Sequence, residues 1–151
     1  MKRLAIVLLL ITVAPTTKAR PVPDWPYATL AKEADFVAVV ELVSITNSAK
    51  RLTGTAEPTR FQGRIARLKV NWVIKGEPAT EVKLLFFAYI REDDFHHARV
   101  HFIEFDETGR HQYLVFLKRD GDYLIPVTGQ SDGALSVKTL EDTSIGWSES
   151  R

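Results

Sequence analysis

The chain has 151 residues, 45% of them hydrophobic and 26% charged, with 20 Lys+Arg, 19 Asp+Glu, 4 His and no Cys. That is one domain's length, and the apolar fraction suits a packed core, which excludes a wholly disordered protein. The missing cysteines exclude a disulfide-stapled miniprotein and a cysteine-ligated zinc domain. A net charge of +1 makes no whole-chain case for a nucleic-acid binder.

The first nineteen residues read as an address. Met1-Lys2-Arg3 is cationic, and the apolar run from Leu4 to Ile11, extended by Thr12-Val13-Ala14 to eleven residues, falls short of the roughly 20 that span a bilayer. Pro15 breaks a helix, and Thr17-Lys18-Ala19 places small residues at the −3 and −1 sites. Residues 1–19 are therefore expected to be a signal peptide cleaved near Ala19, making the protein secreted or periplasmic. A short buried helix and an uncleaved anchor are the alternatives, the second because Lys18 at −2 is not ideal. No cysteine follows to carry a lipid. Cleavage removes Lys2, Arg3 and Lys18 and leaves 132 residues with 17 basic against 19 acidic side chains. An exported domain of net charge −2 is a poor coat for phosphate backbones.

In the remaining chain, residues 20–34 form a proline-rich N-terminal arm, 35–140 a β-domain and 141–151 a C-terminal tail. Pro21, Pro23 and Pro26 exclude regular helix at the start of the arm, while Thr29 to Glu33 can make a helical turn or two. Phe36 to Ile45 is β-branched and apolar on both faces, a strand buried on both sides. Thr46 to Thr59 is polar, with Gly54 and Pro58, and reads as a long loop. Ala66, Leu68, Val70, Trp72 and Ile74 then alternate with Arg67, Lys69, Asn71, Val73 and Lys75, a strand with a mostly polar outer face. The phase break at Arg64-Ile65 predicts a β-bulge.

Val82 to Tyr89 is a third strand after the break at Gly76-Glu77-Pro78, and Arg91 to Ala98 is irregular. Val100 to Phe105 and Tyr113 to Leu117 flank Asp106-Glu107-Thr108-Gly109, a hairpin signal. Tyr113 to Leu117 and Tyr123 to Val127 flank Asp120-Gly121, a second. Ala134 to Leu140 follows as a last strand, and Pro126 predicts an edge position for its own strand. No further run in the mature chain is long enough to span a membrane. The fold expected is all-β: a small antiparallel OB-like barrel of five to six strands with little helix.

Four motifs bear on chemistry. Gly129-Gln130-Ser131-Asp132-Gly133 fits the Gly-x-Ser-x-Gly pattern, but no histidine follows Ser131 and the flanks read as strands, so a serine-hydrolase elbow is rejected. His96, His97 and His101 stand beside Glu92, Asp93 and Asp94 as ligand material for zinc or copper. A helix would bring His97 and His101 together, whereas a strand separates them by roughly 13 Å. A metal-binding protein or metal-dependent hydrolase on these histidines is the alternative reading. Arg60, Arg64, Arg67, Lys69 and Lys75 make a basic stripe, yet the alternation puts Trp72 on the opposite, apolar face, so charge and stacking do not coincide for nucleic acid. Phe86, Phe87 and Tyr89 could wall a small-ligand pocket, with core packing the plainer reading. No carboxylate pair, phosphate loop or glycosylation sequon is specified.

Ala34-Asp35 opening the apolar strand Phe36 to Val40, then Leu68 to Gly76 closing on Lys75-Gly76, then Tyr113 to Leu117 before Asp120-Gly121, together resemble the netrin-like module, whose family includes the tissue inhibitors of metalloproteinases. The resemblance covers about Ala34 to Val127. It implies an exported five-stranded OB-type barrel working by protein contact. The family's inhibitors chelate zinc through an N-terminal cysteine that this chain lacks, so no functional residue carries over. The function expected is an exported, non-enzymatic module without cofactor, binding a protein or cell-envelope partner and no nucleic acid. Trp25, Tyr27 and Trp147 in the terminal arms are candidate contact aromatics.

Overall fold

A computed structural model describes residues 24–52, 60–90, 100–107 and 111–140. The signal segment expected over 1–19, the start of the proline-rich arm and the tail expected over 141–151 lie outside them. Among the described residues no helix is long and apolar enough to cross a membrane.

Period-two sequence becomes strand over most of the described chain. β1 (Phe36–Ser48) and β2 (Phe61–Lys75) are the longest, followed by β3 (Glu81–Tyr89), β4 (Gln112–Asp120), β5 (Tyr123–Pro126) and β6 (Val137–Leu140). They hydrogen-bond in the order β1-β2-β3-β5-β4-β6, and β1 also pairs with β4. Five strands thus close a barrel-like ring, with β6 added outside β4. This is the mostly β, barrel-like architecture expected, with little helix and with one difference. β3 and β5 run parallel and share a single pair, Leu84 with Leu124.

Inward-facing residues of all five ring strands build the main core. Phe36, Ala38 and Val40 meet Ala66, Leu68, Leu84, Phe86, Val115, Leu117 and Leu124 there. Phe105 sets its ring edge-on against Phe86 and Tyr113, at 5.6 and 5.0 Å between centroids, a favoured aromatic arrangement.

Because β1 is apolar on both faces, its outer face needs a cover, and the helix α1 (Tyr27–Glu33) supplies it. Leu30 is fully buried against Val37, Phe116 and Val127. The last turn of α1 is tied to the barrel by Lys75, whose Nζ donates to the carbonyls of Ala31 (2.8 Å), Lys32 (3.2 Å) and Ala34 (2.5 Å). A cation belongs at a helix C-terminus, where carbonyls lack intrahelical partners. A third cluster joins Leu52, Phe61, Phe87 and Phe102 on the outer face of β2–β3.

Several local expectations are corrected. Strand continues through Ser48, inside the stretch read as loop from Thr46. The register of β2 with β3 is unbroken from Phe61 to Lys69, so there is no bulge at Arg64-Ile65. The phase break arises because Phe61 faces the outer cluster while Ala66 and Leu68 face the ring interior. Register irregularities lie instead at Val43 on β1 and at Asn71 and Ile74 on β2.

Val100 to Phe105 is not a strand. Its side chains are claimed by two clusters, Phe102 by the outer and Ile103 by the inner. Its backbone is held by a 3-10 segment, Gln130–Ser136, through His101 N–H to Ser131 O (2.8 Å) and Ala134 N–H to His101 O (2.9 Å). Only Val137 to Leu140 of the expected last strand pairs, with β4. β5 is interior rather than an edge. Pro126 is its last residue, beyond the only β3 pair, so the missing N–H costs no ladder bond.

Candidate interaction surface

The largest departure from simple alternation lies on β2. Val70 pairs with Val40 and Trp72 with Val39, leaving Asn71 as an extra residue. A bulge of this kind re-aims the side chains that follow it. Val73 reaches the inner core instead of Trp72, and Trp72 is left 71% exposed, with Ile74 at 59%. Exposing a side chain of this size forgoes about 2 kcal/mol of burial. The expectation that Trp72 lies on the apolar face, away from the basic stripe, is therefore overturned.

Polar contacts pin the bulge. Asn71 Nδ2 donates to Glu41 Oε1 at 2.8 Å, Gln112 Nε2 reaches the same oxygen at 3.4 Å, and Lys69 Nζ lies 3.6 Å from Glu41 Oε2. The hydrogen bond from Asn71, then that from Gln112, holds the Glu41 carboxyl below the usual carboxylate range, against a small desolvation effect. Cross-strand register places Trp72 beside Val39, Val39 beside Leu114, and Leu114 beside Lys138. Val39 and Leu114 are half-buried. The result is an apolar shelf, bounded by α1 on one side and the Glu41 network on the other.

Tyr27 adds a second exposed aromatic at 60%, its ring 5.9 Å from that of Phe116. Trp25 packs partly buried against the cluster beneath α1, and Trp147 lies outside the described residues. The alternation that exposed the basic stripe to view concealed Trp72, because nothing in the local sequence marks an inserted residue.

The basic stripe is largely neutralised. Arg67 makes a bidentate pair with Glu81 (3.0 and 2.8 Å), which holds the Glu81 carboxyl down and raises the guanidinium. Arg64 lies 3.8 Å from Glu107, Lys69 neighbours Glu41, and Lys75 caps α1. These cations are engaged inside the domain rather than presented as a row.

Of the metal candidates, His96 and His97, with Glu92, Asp93 and Asp94, lie outside the described residues. His101 is described, and its Nδ1 sits 3.6 Å from Asp132 Oδ1. Among the described residues no three His, Cys, Asp or Glu side chains gather where they could hold an ion. Ser131 sits in the 3-10 segment that runs into β6, not in the strand–turn–α-helix setting of a nucleophile elbow. Phe86 points into the ring while Phe87 joins the outer cluster, where Tyr89 meets Phe61 at a tilt and Phe102 edge-on, at 5.5 and 4.9 Å between centroids. Phe86 packs on one face of β3 and Phe87 and Tyr89 on the other, so the three wall no common pocket among the described residues.

A groove of about 410 Å³ opens instead at the barrel end, between the β2–β3 turn and the β4–β5 hairpin. Arg119 and Glu77 bridge its rim at 2.7 Å. No protein-family model matches the chain, and no curated protein matches it.

Proposed function

We propose that this protein is an exported, non-enzymatic β-barrel module that binds a protein partner through the shelf around Trp72. The observation that carries the reading is a tryptophan held outside the barrel by a hydrogen-bonded bulge, where plain alternation would bury it. Exposed apolar area of this kind, rimmed by polar groups, is typical of contact surfaces, and tryptophan is the residue most enriched at their energetic centres. The resemblance to the netrin-like module supports the same class of activity, contact rather than catalysis. Export rests on the signal segment at residues 1–19.

The test is crosslinking capture from the organism's own envelope extract with the exported protein and with Trp72→Ser. One stoichiometric protein partner is expected, lost in the variant while the thermal midpoint stays within about 2 °C. Equal capture by both proteins would remove Trp72 from the contact, and an empty result with the unaltered protein would remove the reading itself.

A further inference from the structure

β3 has two edges, and only one is fully used. Its residues Glu81, Val82 and Lys83 pair with Lys69, Leu68 and Arg67 of β2. On the other side, pairing with β5 is confined to Leu84 and Leu124. The cause lies in the β4–β5 hairpin. Asp120 pairs with Tyr123 across a two-residue turn in which Gly121 adopts φ 59°, so β5 begins only one residue before its contact with β3. The hairpin is too short to cover the first three residues of β3. In an antiparallel ladder alternate residues turn N–H and C=O away from the partner strand, so at least one residue of Glu81–Lys83 presents both groups to the open side.

That open side is the groove of about 410 Å³. Its floor is apolar, formed by Phe36, Val82 and Leu124, with Tyr123 beside them. Each wall carries both signs, Glu81 and Lys83 on β3 and Arg119 and Asp122 on the hairpin. Glu81 is taken by Arg67 and Arg119 by Glu77, which leaves Lys83, attracted to Glu81 only at longer range, and Asp122 as the charges outside a salt bridge among the described residues of the lining.

We propose that this seam accepts an extended peptide segment of a partner polypeptide, which adds as a strand along Glu81–Lys83. Strand addition to an open edge draws affinity from main-chain hydrogen bonds and selectivity from pockets for alternate side chains. Here an apolar side chain would seat on the floor. An acidic one would face Lys83, and a basic one Asp122. The site is separate from the Trp72 shelf and stands whether or not that shelf binds a partner.

The test begins with a phage-displayed library of random nonapeptides selected on the purified protein. Enriched sequences are then synthesised, labelled and titrated by fluorescence anisotropy. Peptides combining an apolar residue with an acidic one are expected, and bound peptide should slow amide exchange at Glu81 and Lys83, whose N–H groups turn away from β2. Ala79→Trp, which fills the groove from the exposed turn, should weaken binding about tenfold or more. Lys83→Glu should weaken peptides carrying the acidic residue by about fivefold. Trp72→Ser should leave affinity within about twofold, as expected for a residue outside the groove's lining. Failure to enrich any peptide overturns the proposal, as do peptides indifferent to both groove variants or dependent on Trp72. Because Ala79 and Lys83 are separate surface positions, misfolding of one variant leaves the other to decide.

Discussion

Glu41 shows how one carboxylate organises a surface. It faces outward from β1, accepts from Asn71 and Gln112, and neighbours Lys69, thereby linking three strands beside Trp72. Because its folded carboxyl titrates below the usual range, the folded state binds fewer protons there than the unfolded chain in mild acid. The stability it contributes is complete above the unfolded carboxylate range and is lost as pH falls through the depressed folded value. Glu41→Gln keeps the side chain's shape and one acceptor but not its charge. The difference in unfolding free energy between the native protein and this variant should be largest near neutrality and shrink toward zero in acid. Urea denaturation at a series of pH values measures it. The ion pair of Arg67 with Glu81 is common to both proteins and cancels. A difference that does not change with pH would assign Glu41 a role in shape alone.

At the scale of elements, the strands were legible because burial on one face forces a period of two, and β2 shows that most plainly. What the sequence concealed was where a strand changes what its faces touch. Phe61 and Ala66 lie in one uninterrupted ladder yet serve different clusters, and that reads from sequence like a bulge. The true insertion at Asn71 leaves no compositional mark, so alternation alone places Trp72 in the interior and hides the shelf. Val100 to Phe105 has strand composition because each apolar side chain has its own cluster to fill, not because its backbone pairs.

The close approach between the β1–β2 connection and β2 gives an element-scale prediction. A Cβ on Gly63 would lie 2.5 Å from the carbonyl oxygen of Lys50 and 3.4 Å from Phe87, so backbone, not a yielding side chain, blocks it. Gly63→Ala should cost about 2 kcal/mol in urea unfolding. It should also speed proteolysis near Leu52, whose cluster with Phe61 and Phe87 the displacement opens. An unchanged midpoint would show that the connection moves freely and that Leu52 does little to anchor it.

For the whole molecule, the ring is closed unequally. β1 and β2 are paired along nearly their full length, while the β3–β5 join consists of one residue pair. A side chain completes that join: Gln130 Nε2 donates to Leu85 O at 3.1 Å. The 3-10 segment behind it is secured by the two backbone bonds to His101 and by Thr128, whose hydroxyl donates to Asp132 O at 2.7 Å. The buried Oε1 of Gln130 finds no hydrogen-bond partner among the described residues, so the amide serves the closure through its nitrogen alone there. A ring built this way should open first at its weakest join, with free energies of opening that differ from strand to strand. Native-state amide exchange should find β1 and β2 protected up to the global unfolding free energy and Leu85 and Leu124, whose N–H groups face the β3–β5 join, exchanging through a smaller opening. Gln130→Ala removes one hydrogen bond and should lower protection at those two by about 1 kcal/mol, with less effect on β1 and β2. Equal loss everywhere would mean that the ring unfolds only as a unit, and that one pair and one glutamine suffice to couple the seam to the rest of the barrel.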